Sequence, residues 1–523
     1  MPLRLLLFLA LTLSGLGCRS SVPVSAEASA TTPARWPEGV AYEVFVQSFA
    51  DSDGDSVGDL RGLTQRLDYI RDLGARAIWL MPISPSPSYH KYDVTDYRGI
   101  HPAYGTLDDA RTLVREAHAR GIAVIIDLVI NHSARAHPWF QAAVADPQSP
   151  YRDYYVWATP EQVAQWGAGR EAAPDSDNRV AWHRVPGQDA FYYGYFGRHM
   201  PDLNFDSPAL RREILDIGRF WLREVGVDGF RLDAAKHIYP TDRAADNHAW
   251  WQLFRAEMQA VNPNVYLVGE VWDGPAVVAP YLKGLTALFN FDLAGAMLRA
   301  VREERADSLV PRLARIRGFY RSVEPGFTDA TFLANHDQNR VMTVLGDDER
   351  KARVAAALLL TLPGSPFLYY GEEIGMKGRK PDPNIREPML WGDAHSARTP
   401  RWITPTYSTP QNVRPVAAQQ DDPGSLLRFY RDLIALRNGS PTLTRGEVAT
   451  TDVGSNAVVS FLRMHAGDTL WVAHNVTGTD QTIHLPTRLH PFTRLRYRSA
   501  QPLMRTNETL VLPAYSSAVF ARR

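Results

Sequence analysis

The chain has 523 residues, which at ~100–200 residues per domain is enough for more than one domain. Lysine plus arginine and aspartate plus glutamate each number 57, so the formal net charge is zero. This balance gives no electrostatic reason to expect nucleic acid or an anionic membrane surface as a partner. The single cysteine excludes an intramolecular disulfide.

The N-terminus carries a processing signal. Arg4 precedes an apolar run over residues 5–13 that is too short to span a bilayer, and small residues then lead to Cys18. The pattern resembles a bacterial lipoprotein with a signal peptide at residues 1–17 and a lipid on Cys18; ordinary secretion is the alternative. We therefore expect an exported protein, periplasmic or at the cell surface, that meets a membrane only through Cys18 and a flexible tether over residues 18–36.

Short apolar runs alternate with helical patterns from residue 37 to about residue 436. The candidate strands, the sixth of them weak, are Ala41–Val46, Ala77–Leu80, Val124–Ile130, Gly229–Leu232, Val265–Val268, Ala287–Phe289, Thr331–Ala334 and Phe367–Tyr369. Repeated strand–helix alternation predicts an α/β fold with a parallel sheet, and eight units predict a closed (β/α)8 TIM barrel. Function in such barrels collects at the C-terminal ends of the strands.

Two parts of the chain depart from this alternation. Residues 132–205 are rich in aromatic, Pro, Asp and Gly residues and are too long for a featureless loop, which predicts an inserted domain after the third strand. Residues 437–523 contain short alternating runs, which predict a C-terminal antiparallel β-sandwich. The barrel is therefore expected in two segments, 37–131 and 206–436.

The segment Gly229–His237 places an arginine and an aspartate at the end of a strand. Arg231 and Asp233 point to the same face because strand side chains alternate with period two. A carboxylate held ionised beside a guanidinium is the setting that a glycosidase nucleophile needs. Taken alone, the pair is equally compatible with a structural ion pair.

Three further motifs close predicted strands, namely Asp127–His132, Gly269–Trp272 and Phe332–Asp337. In order and spacing, these motifs and Gly229–His237 resemble the four sequence regions of the α-amylase family of glycoside hydrolases (family 13). Met200–Asn204 resembles the additional region of members intermediate between α-amylases, oligo-1,6-glucosidases and neopullulanases, and bacterial lipoprotein α-amylases are the nearest group.

The resemblance and the local chemistry agree on three catalytic acids. Asp233, beside Arg231, is expected to stay ionised and act as the nucleophile. Glu270 follows an apolar strand, and a semi-apolar setting raises a carboxyl pKa, which suits a general acid/base. By resemblance, Asp337 is the third acid, which binds sugar hydroxyls and stabilises an oxocarbenium-like transition state.

The resemblance also implies a set of substrate-binding residues around these acids, and they are Tyr92, His132, Arg231, Lys236, His237 and His336. Ala234 follows the nucleophile, where members that cleave α-1,4 bonds carry a small residue or Thr and α-1,6-specific members often carry Val. These features favour an α-1,4 glucan or maltooligosaccharide as the substrate.

An acidic loop after the first strand predicts a metal site. Four aspartates at odd-numbered positions, with glycines that permit sharp turns, can surround a hard cation such as Ca²⁺. By resemblance to oligo-1,6-glucosidases and neopullulanase-like members, the ligands are Asp51, Asp53, Asp55, the Val57 carbonyl and Asp59. A solvated acidic turn is the alternative, and calcium would be structural here.

Together, the motifs predict a monomeric α-amylase that hydrolyses α-1,4-glucosidic bonds in starch, glycogen or maltodextrin with retention. An exo-acting α-glucosidase, a neopullulanase and a transglycosylase stay open, because the acceptor alone separates hydrolysis from transfer. A hypothesis from another class is a noncatalytic carbohydrate-binding or transporter-associated homologue. Such relatives lose one or more of the three acids, whereas this chain keeps all three.

Overall fold

The computed structural model describes residues 38–165, 180–392 and 398–523. The predicted signal peptide, tether and Cys18 lie outside these residues. Among the helices of the described part, none is long and apolar enough to cross a membrane.

Eight parallel strands form a closed barrel, which confirms the predicted fold. In chain order, β1 to β8 are Ala41–Val44, Ala77–Leu80, Ala123–Leu128, Gly229–Leu232, Tyr266–Gly269, Ala287–Phe289, Thr328–Thr331 and Ser365–Tyr369. Each strand pairs with its neighbours in sequence, and β1 closes the ring by pairing with both β2 and β8. Alternate side chains fill the interior, among them Ala41, Trp79, Ile125 and Phe367.

The position predicted for the seventh strand, Thr331–Ala334, was wrong by three residues. In β7, Ala330 pairs with Ser365 of β8 and Thr331 pairs with Pro366, where the pairing ends. Phe332 and the two apolar residues after it are buried but lie beyond the pairing. Burial without pairing explains the error, and it leaves the chain from Phe332 to Asp337 free to curve across the end of the barrel.

Helices cover the outside of the barrel. The helices of six or more residues are Leu60–Gln65, Leu67–Leu73, Leu107–Ala119, Pro138–Ala145, Pro160–Gln165, Pro208–Phe220, Ala244–Val261, Phe291–Arg302, Leu309–Val323, Glu349–Thr361 and Leu426–Asn438. Short α-helical turns are Val46–Phe49, Pro275–Val278, Val341–Val344, Asp382–Ile385, Val416–Gln419 and Pro441–Thr444. Trp221–Val225 is a π-helical turn, and the 3₁₀ turns are Pro102–Tyr104, Arg152–Tyr154, Ala235–His237, Thr241–Arg243, Ala279–Lys283, Glu372–Ile374 and Thr487–Leu489.

The stretch between β3 and β4 contains a small antiparallel sheet of its own. Its strands are Trp157–Ala158, Trp182–Arg184 and Phe191–Tyr193, with the last in the middle. Isolated bridges from His132 to Asp202 and from Tyr155 to Leu203 tie the two ends of the stretch together. The inserted segment is therefore anchored directly beside the end of β3.

The C-terminal part consists of two antiparallel sheets that enclose a separate core. Strands β9 to β16 are Glu447–Thr450, Val458–His465, Asp468–Asn475, Gln481–His484, Arg494–Arg498, Met504–Arg505, Thr509–Leu512 and Ser517–Ala521. Five of them form one sheet in the order β9-β10-β11-β16-β13, and three form the other in the order β12-β15-β14. Trp471, Phe520 and Leu510 pack between the sheets.

Two buried arginines lie where this part meets the barrel, Arg437 on the barrel helix Leu426–Asn438 and Arg463 on a C-terminal strand. Arg437 donates from Nη1 to the carbonyls of Leu360 and Leu362, at 2.9 Å each. Arg463 on β10 donates to the carbonyl of Thr361 and, at 2.8 Å, to that of Leu443. Because the last carbonyls of a helix lack intrahelical partners, these guanidiniums satisfy the C-terminal end of Glu349–Thr361.

Candidate active site

The C-terminal ends of four barrel strands bring charged side chains to one edge. The register of β3 and β4 places Asp127 opposite Arg231. Asp233 comes directly after β4, Glu270 directly after β5, and Asp337 lies in the loop after β7. Strand ends of a parallel barrel share one face, so residues far apart in sequence meet there.

Arg231 lies at the centre of this cluster, and only 1% of its side chain is exposed. Nη1 is 3.0 Å from each carboxylate oxygen of Asp127 and 2.5 Å from Oδ1 of Asp233. Nη2 donates to Oε2 of Glu270 at 2.7 Å, and the Ala234 backbone N–H donates to the same oxygen at 3.2 Å. One buried cation therefore holds Asp233 and Glu270 side by side.

The pKa of Glu270 is raised above its ordinary value. Burial is the main cause, the negative charges of Asp233 and Asp337 add to it, and Arg231 opposes it. A carboxyl group with a raised pKa keeps its proton nearer to neutral pH, as a general acid must. Glu270 has the electrostatic setting of a proton donor.

Asp337 lies in the opposite electrostatic setting. Its Oδ2 is 3.1 Å from Nε2 of His336, and its Oδ1 is 3.0 Å from Nη2 of Arg386. Burial alone would raise the pKa of Asp337, but the positive charges of His336, Arg386 and Arg231 outweigh burial and lower the pKa. Asp337 is therefore held as a carboxylate next to a carboxyl group, Glu270, that tends to keep its proton.

Tyr92, His132 and His336 form one wall of the site. The rings of Tyr92 and His336 are stacked, with centroids 5.5 Å apart and planes 14° apart. Nε2 of His132 lies 3.2 Å from the Tyr92 carbonyl oxygen. Burial lowers the pKa of His132 to about 4, so this ring is a neutral hydrogen-bonding group at neutral pH.

Lys236 and His237 lie beside the loop after β5 and the inserted segment. Nζ of Lys236 is 3.1 Å from Oδ2 of Asp273 and 3.4 Å from the Trp272 carbonyl oxygen. The His237 ring packs against Tyr195 at a centroid distance of 4.3 Å. These two residues are thus placed on the Glu270 side, between the loop after β5 and the inserted segment.

The sequence analysis gave no role to several residues that the structure brings into the site. Asp127 begins the motif Asp127–His132, so the sequence already marked it as a candidate site residue. Glu43 and Arg386 lie outside the four motifs, and no sequence pattern marked them as candidate site residues. Trp272 is 52% exposed and its ring stacks on Phe291 at 4.4 Å, which offers a flat apolar surface beside Glu270.

The acidic loop after β1 brings part of the predicted metal site together. One carboxylate oxygen from each of Asp51, Asp53 and Asp59 lies within 4.8 Å of the others. Among the described residues, Asp55 is not part of this convergent set of carboxylates, and its Oδ1 instead accepts the Val57 N–H at 2.7 Å. Three close carboxylates repel one another, and all-oxygen donors suit a hard divalent cation, so these residues fit calcium.

Comparison with known proteins agrees with this site. The family described as "Alpha amylase, catalytic domain" matches residues 43–446, and "Alpha-amylase SusG C-terminal domain" matches residues 458–519. Alpha-amylase 3 of Dictyoglomus thermophilum is 41% identical over 92% of this chain and 93% of its own length. A 4-alpha-glucanotransferase of Thermotoga neapolitana is 32% identical over 87% of this chain and 99% of its own length.

A solved structure extends the likeness to the fold. The crystal structure of an alpha-amylase from H. orenii superposes with a TM-score of 0.85 at 43% identity, covering 93% of this chain and 99% of that one. The catalytic-domain match spans most of the chain, including β3 to β8 and the strand ends that carry the acids. The chain belongs to the α-amylase family of glycoside hydrolases, family 13.

Proposed function

We propose that this enzyme is an α-amylase that hydrolyses α-1,4-glucosidic bonds in starch, glycogen or maltodextrin with retention. The observation that carries the proposal is the shared contact of Asp233 and Glu270 with Arg231. Two carboxyl groups on one guanidinium lie close together. Such closeness favours the separation of a retaining pair, about 5–5.5 Å, over the roughly 6.5–9.5 Å of an inverting pair.

The first step forms a glycosyl-enzyme. An Oδ atom of Asp233 attacks C1 of the sugar, the bond from C1 to the glycosidic oxygen breaks, and Glu270 gives its proton to that leaving oxygen. In the second step Glu270, now a carboxylate, takes a proton from water while the water oxygen attacks C1 and releases Asp233. The raised pKa of Glu270, caused chiefly by its burial, fits the first of these roles.

The remaining site residues hold the substrate. Asp337, kept ionised by its cationic neighbours, accepts hydrogen bonds from sugar hydroxyls and opposes the positive charge of the transition state. Tyr92 offers its ring to the sugar face, His132 and His336 hydrogen-bond hydroxyls, and Arg231 orients the acids. Lys236 and His237 bind on the leaving-group side.

Ala234 supports α-1,4 specificity through the resemblance, because α-1,6-specific members often carry Val at this position. Its φ of 46° is left-handed, which turns the chain so that its N–H reaches Glu270. A β-branched residue at this position would be strained in that conformation. An exo-acting α-glucosidase, a neopullulanase and a transglycosylase use the same acids. Analysis of the reaction products is therefore needed to distinguish these activities from that of an α-amylase.

Reducing-sugar release from soluble starch tests the proposal. We expect release by the wild type, none above background from Asp233→Asn, and wild-type release from the control Asp246→Asn, whose carboxylate is exposed. Absence of release by folded, calcium-loaded wild type would instead favour a noncatalytic homologue. Cleavage of a maltooligosaccharide blocked at its non-reducing end would support endo action, and intact substrate would favour the glucosidase.

We also propose that the acidic loop after β1 binds one Ca²⁺ through Asp51, Asp53, Asp55, the Val57 carbonyl and Asp59. The convergence of three carboxylates within 4.8 Å supports this, and reorientation of Asp55 would complete the shell. When bound, calcium supplies structural stability at this loop; the barrel acids carry the reaction.

For localisation, we propose an exported monomer that is anchored to a membrane by lipid on Cys18. The apolar run ahead of Cys18 in the sequence supports this. Expression of wild type and Cys18→Ser in a bacterial host, followed by fractionation, tests it. Wild type in the membrane fraction with the variant released is expected, and equal release of both would indicate ordinary secretion.

A further inference from the structure

Glu43 on β1 is a buried carboxylate to which the proposed reaction gives no part. It is 1% exposed, and the strand register pairs it with Trp79 on β2 and Tyr369 on β8. It shares the strand face of Ala41, which packs in the barrel interior. A charge in such a place requires a specific partner.

That partner is the ring of His336. Oε1 of Glu43 lies 2.6 Å from Nδ1 of His336 and accepts its backbone N–H at 3.3 Å. The other ring nitrogen, Nε2, lies 2.5 Å from the Tyr92 hydroxyl and 3.1 Å from Oδ2 of Asp337. His336 therefore lies between two carboxylates, one at each nitrogen.

The directions of these hydrogen bonds fix the protons of the ring. The Tyr92 hydroxyl donates to Oδ2 of Asp127 at 3.1 Å, an oxygen that also accepts from Nη1 of Arg231 at 3.0 Å. The hydroxyl oxygen must then accept from Nε2–H of His336. Nδ1 faces the carboxylate of Glu43 and must also carry hydrogen. A ring with hydrogen on both nitrogens is an imidazolium ion.

The surroundings of His336 agree with a charged ring. The charged and titratable groups that face it are Glu43 from β1, Tyr92 from the loop after β2, Asp127 from β3, Asp337 from its own loop, and Arg386, whose Nε donates to the His336 carbonyl. Burial alone would lower the pKa of His336, but Asp337 and Glu43 outweigh it and raise the pKa to about 9.

We propose that Glu43 is a positioning residue for the reaction: its carboxylate keeps His336 an imidazolium ion, which in turn orients Asp337 and keeps it ionised. Glu43 is buried behind His336 and acts through it. The inference rests on the proposed function, because it assigns Asp337 to the reaction.

Histidine titration by NMR tests the charge of the ring directly. With ¹⁵N-labelled histidine and His336→Gln for assignment, we expect His336 in the wild type to carry both protons at pH 7. We expect Glu43→Gln to lower its pKa by one unit or more, the usual size of a lost opposite charge. A singly protonated His336 in the wild type at pH 7 would overturn the proposal, and this reading of the wild type does not require Glu43→Gln to fold.

Steady-state kinetics test whether loss of the charge on His336 lowers the rate of the reaction. At pH 6 we expect Glu43→Gln to keep kcat/KM on maltooligosaccharides within about threefold of wild type. At pH 8 we expect a loss of about twofold if the pKa of His336 falls from about 9 by one unit, and of about tenfold if it falls by two units. Glu43→Asp, which keeps the charge, is expected to restore part of the pH 8 activity. The control Glu373→Gln removes another buried carboxylate that binds Tyr42 and Tyr69, and its pH profile is expected to match wild type.

An unchanged ratio of kcat/KM at the two pH values in Glu43→Gln would overturn the inference. Failure of the proposed function looks different, because the wild type itself would then release no sugar at either pH. The NMR titration still decides the state of His336 in that case.

Discussion

Arg231 and Arg463 are both buried, but they lie in different regions of this molecule and their surroundings differ. At the barrel edge, Arg231 contacts the carboxylates of Asp127, Asp233 and Glu270. At the junction with the C-terminal sheets, Arg463 contacts the backbone carbonyls of Thr361, Leu443 and Gly446. Both guanidiniums are desolvated. Charged carboxylates compensate for this at Arg231, whereas the dipoles of backbone carbonyls compensate for it at Arg463.

The contacts of Arg231 serve the reaction, whereas those of Arg463 serve the structure. Burial would lower the pKa of Arg231, yet the surrounding carboxylates raise it, whereas burial lowers the pKa of Arg463. At the barrel edge, Asp337 is held ionised by its cationic neighbours and supplies negative charge for an oxocarbenium-like centre. Carbonyls at the junction satisfy a helix end and fix one part of the chain on another. We expect substitutions in the first region to affect rate and those in the second to affect stability.

Glu270→Gln is expected to have the largest effect. Loss of the proton donor should lower kcat on starch by about 10²–10⁴-fold. The wild-type rate should fall as pH rises through the pKa of Glu270, which burial raises above its ordinary 4.5, because the acid must be protonated. Release of fluoride from α-maltosyl fluoride needs no proton donor. In the variant, the rate of this release should therefore no longer fall as pH rises, so the basic limb of the pH–rate profile should be absent. Retention of the limb would assign it to another group.

Arg231→Met is expected to lower kcat/KM by about 10²–10³-fold, the usual cost of one preorganised electrostatic contact. The variant leaves Asp233 and Glu270 without their shared cation. Steady-state kinetics on maltooligosaccharides measure the loss. Arg463→Met is the matched control at the junction, and its kcat/KM should stay within about twofold of wild type, since its contacts are structural. Equal losses in the two variants would break the comparison.

Arg463→Ala is expected to lower the free energy of unfolding by about 3–5 kcal/mol, because buried carbonyls lose their donor. Urea unfolding followed by circular dichroism measures this loss, with kcat at 25 °C as the second readout. A variant as stable as wild type would show that water replaces the guanidinium at the junction.

Calcium removal is expected to have the smallest effect. At a free calcium concentration 100 times Kd, binding would contribute about 2.7 kcal/mol, so a chelator should lower Tm without changing kcat at 25 °C. Asp53→Asn should make Tm insensitive to chelator, while Asp108→Asn, an exposed carboxylate that pairs with Arg111, should not. A chelator-independent Tm in the wild type would contradict the calcium proposal.

Local pattern was sufficient to predict the barrel. Short apolar runs and strand–helix alternation placed β1 to β6 and β8 close to their observed positions, and the prediction missed the end of β7 because Phe332 is buried without being paired. The four motifs pointed to Asp233, Glu270 and Asp337 because each follows a strand end directly or by one loop.

The sequence could not reveal partners that only the closed barrel brings together. Glu43 and His336 are 293 residues apart, and Glu43 reads as an isolated polar residue in an apolar run. Arg386 and Arg463 likewise find their partners across the fold. No local periodicity predicts such contacts, since they depend on closure of the sheet and on packing between domains.

The most direct test of the central proposal is to trap the glycosyl-enzyme. Glu270→Gln, incubated with α-maltosyl fluoride, should form the intermediate readily and hydrolyse it slowly, since the group that activates water is missing. Mass spectrometry of a proteolytic digest should then find one maltosyl group on Asp233. Inverted product with no sugar attached to the protein, or attachment at another residue, would contradict the assignment of Asp233 as the nucleophile.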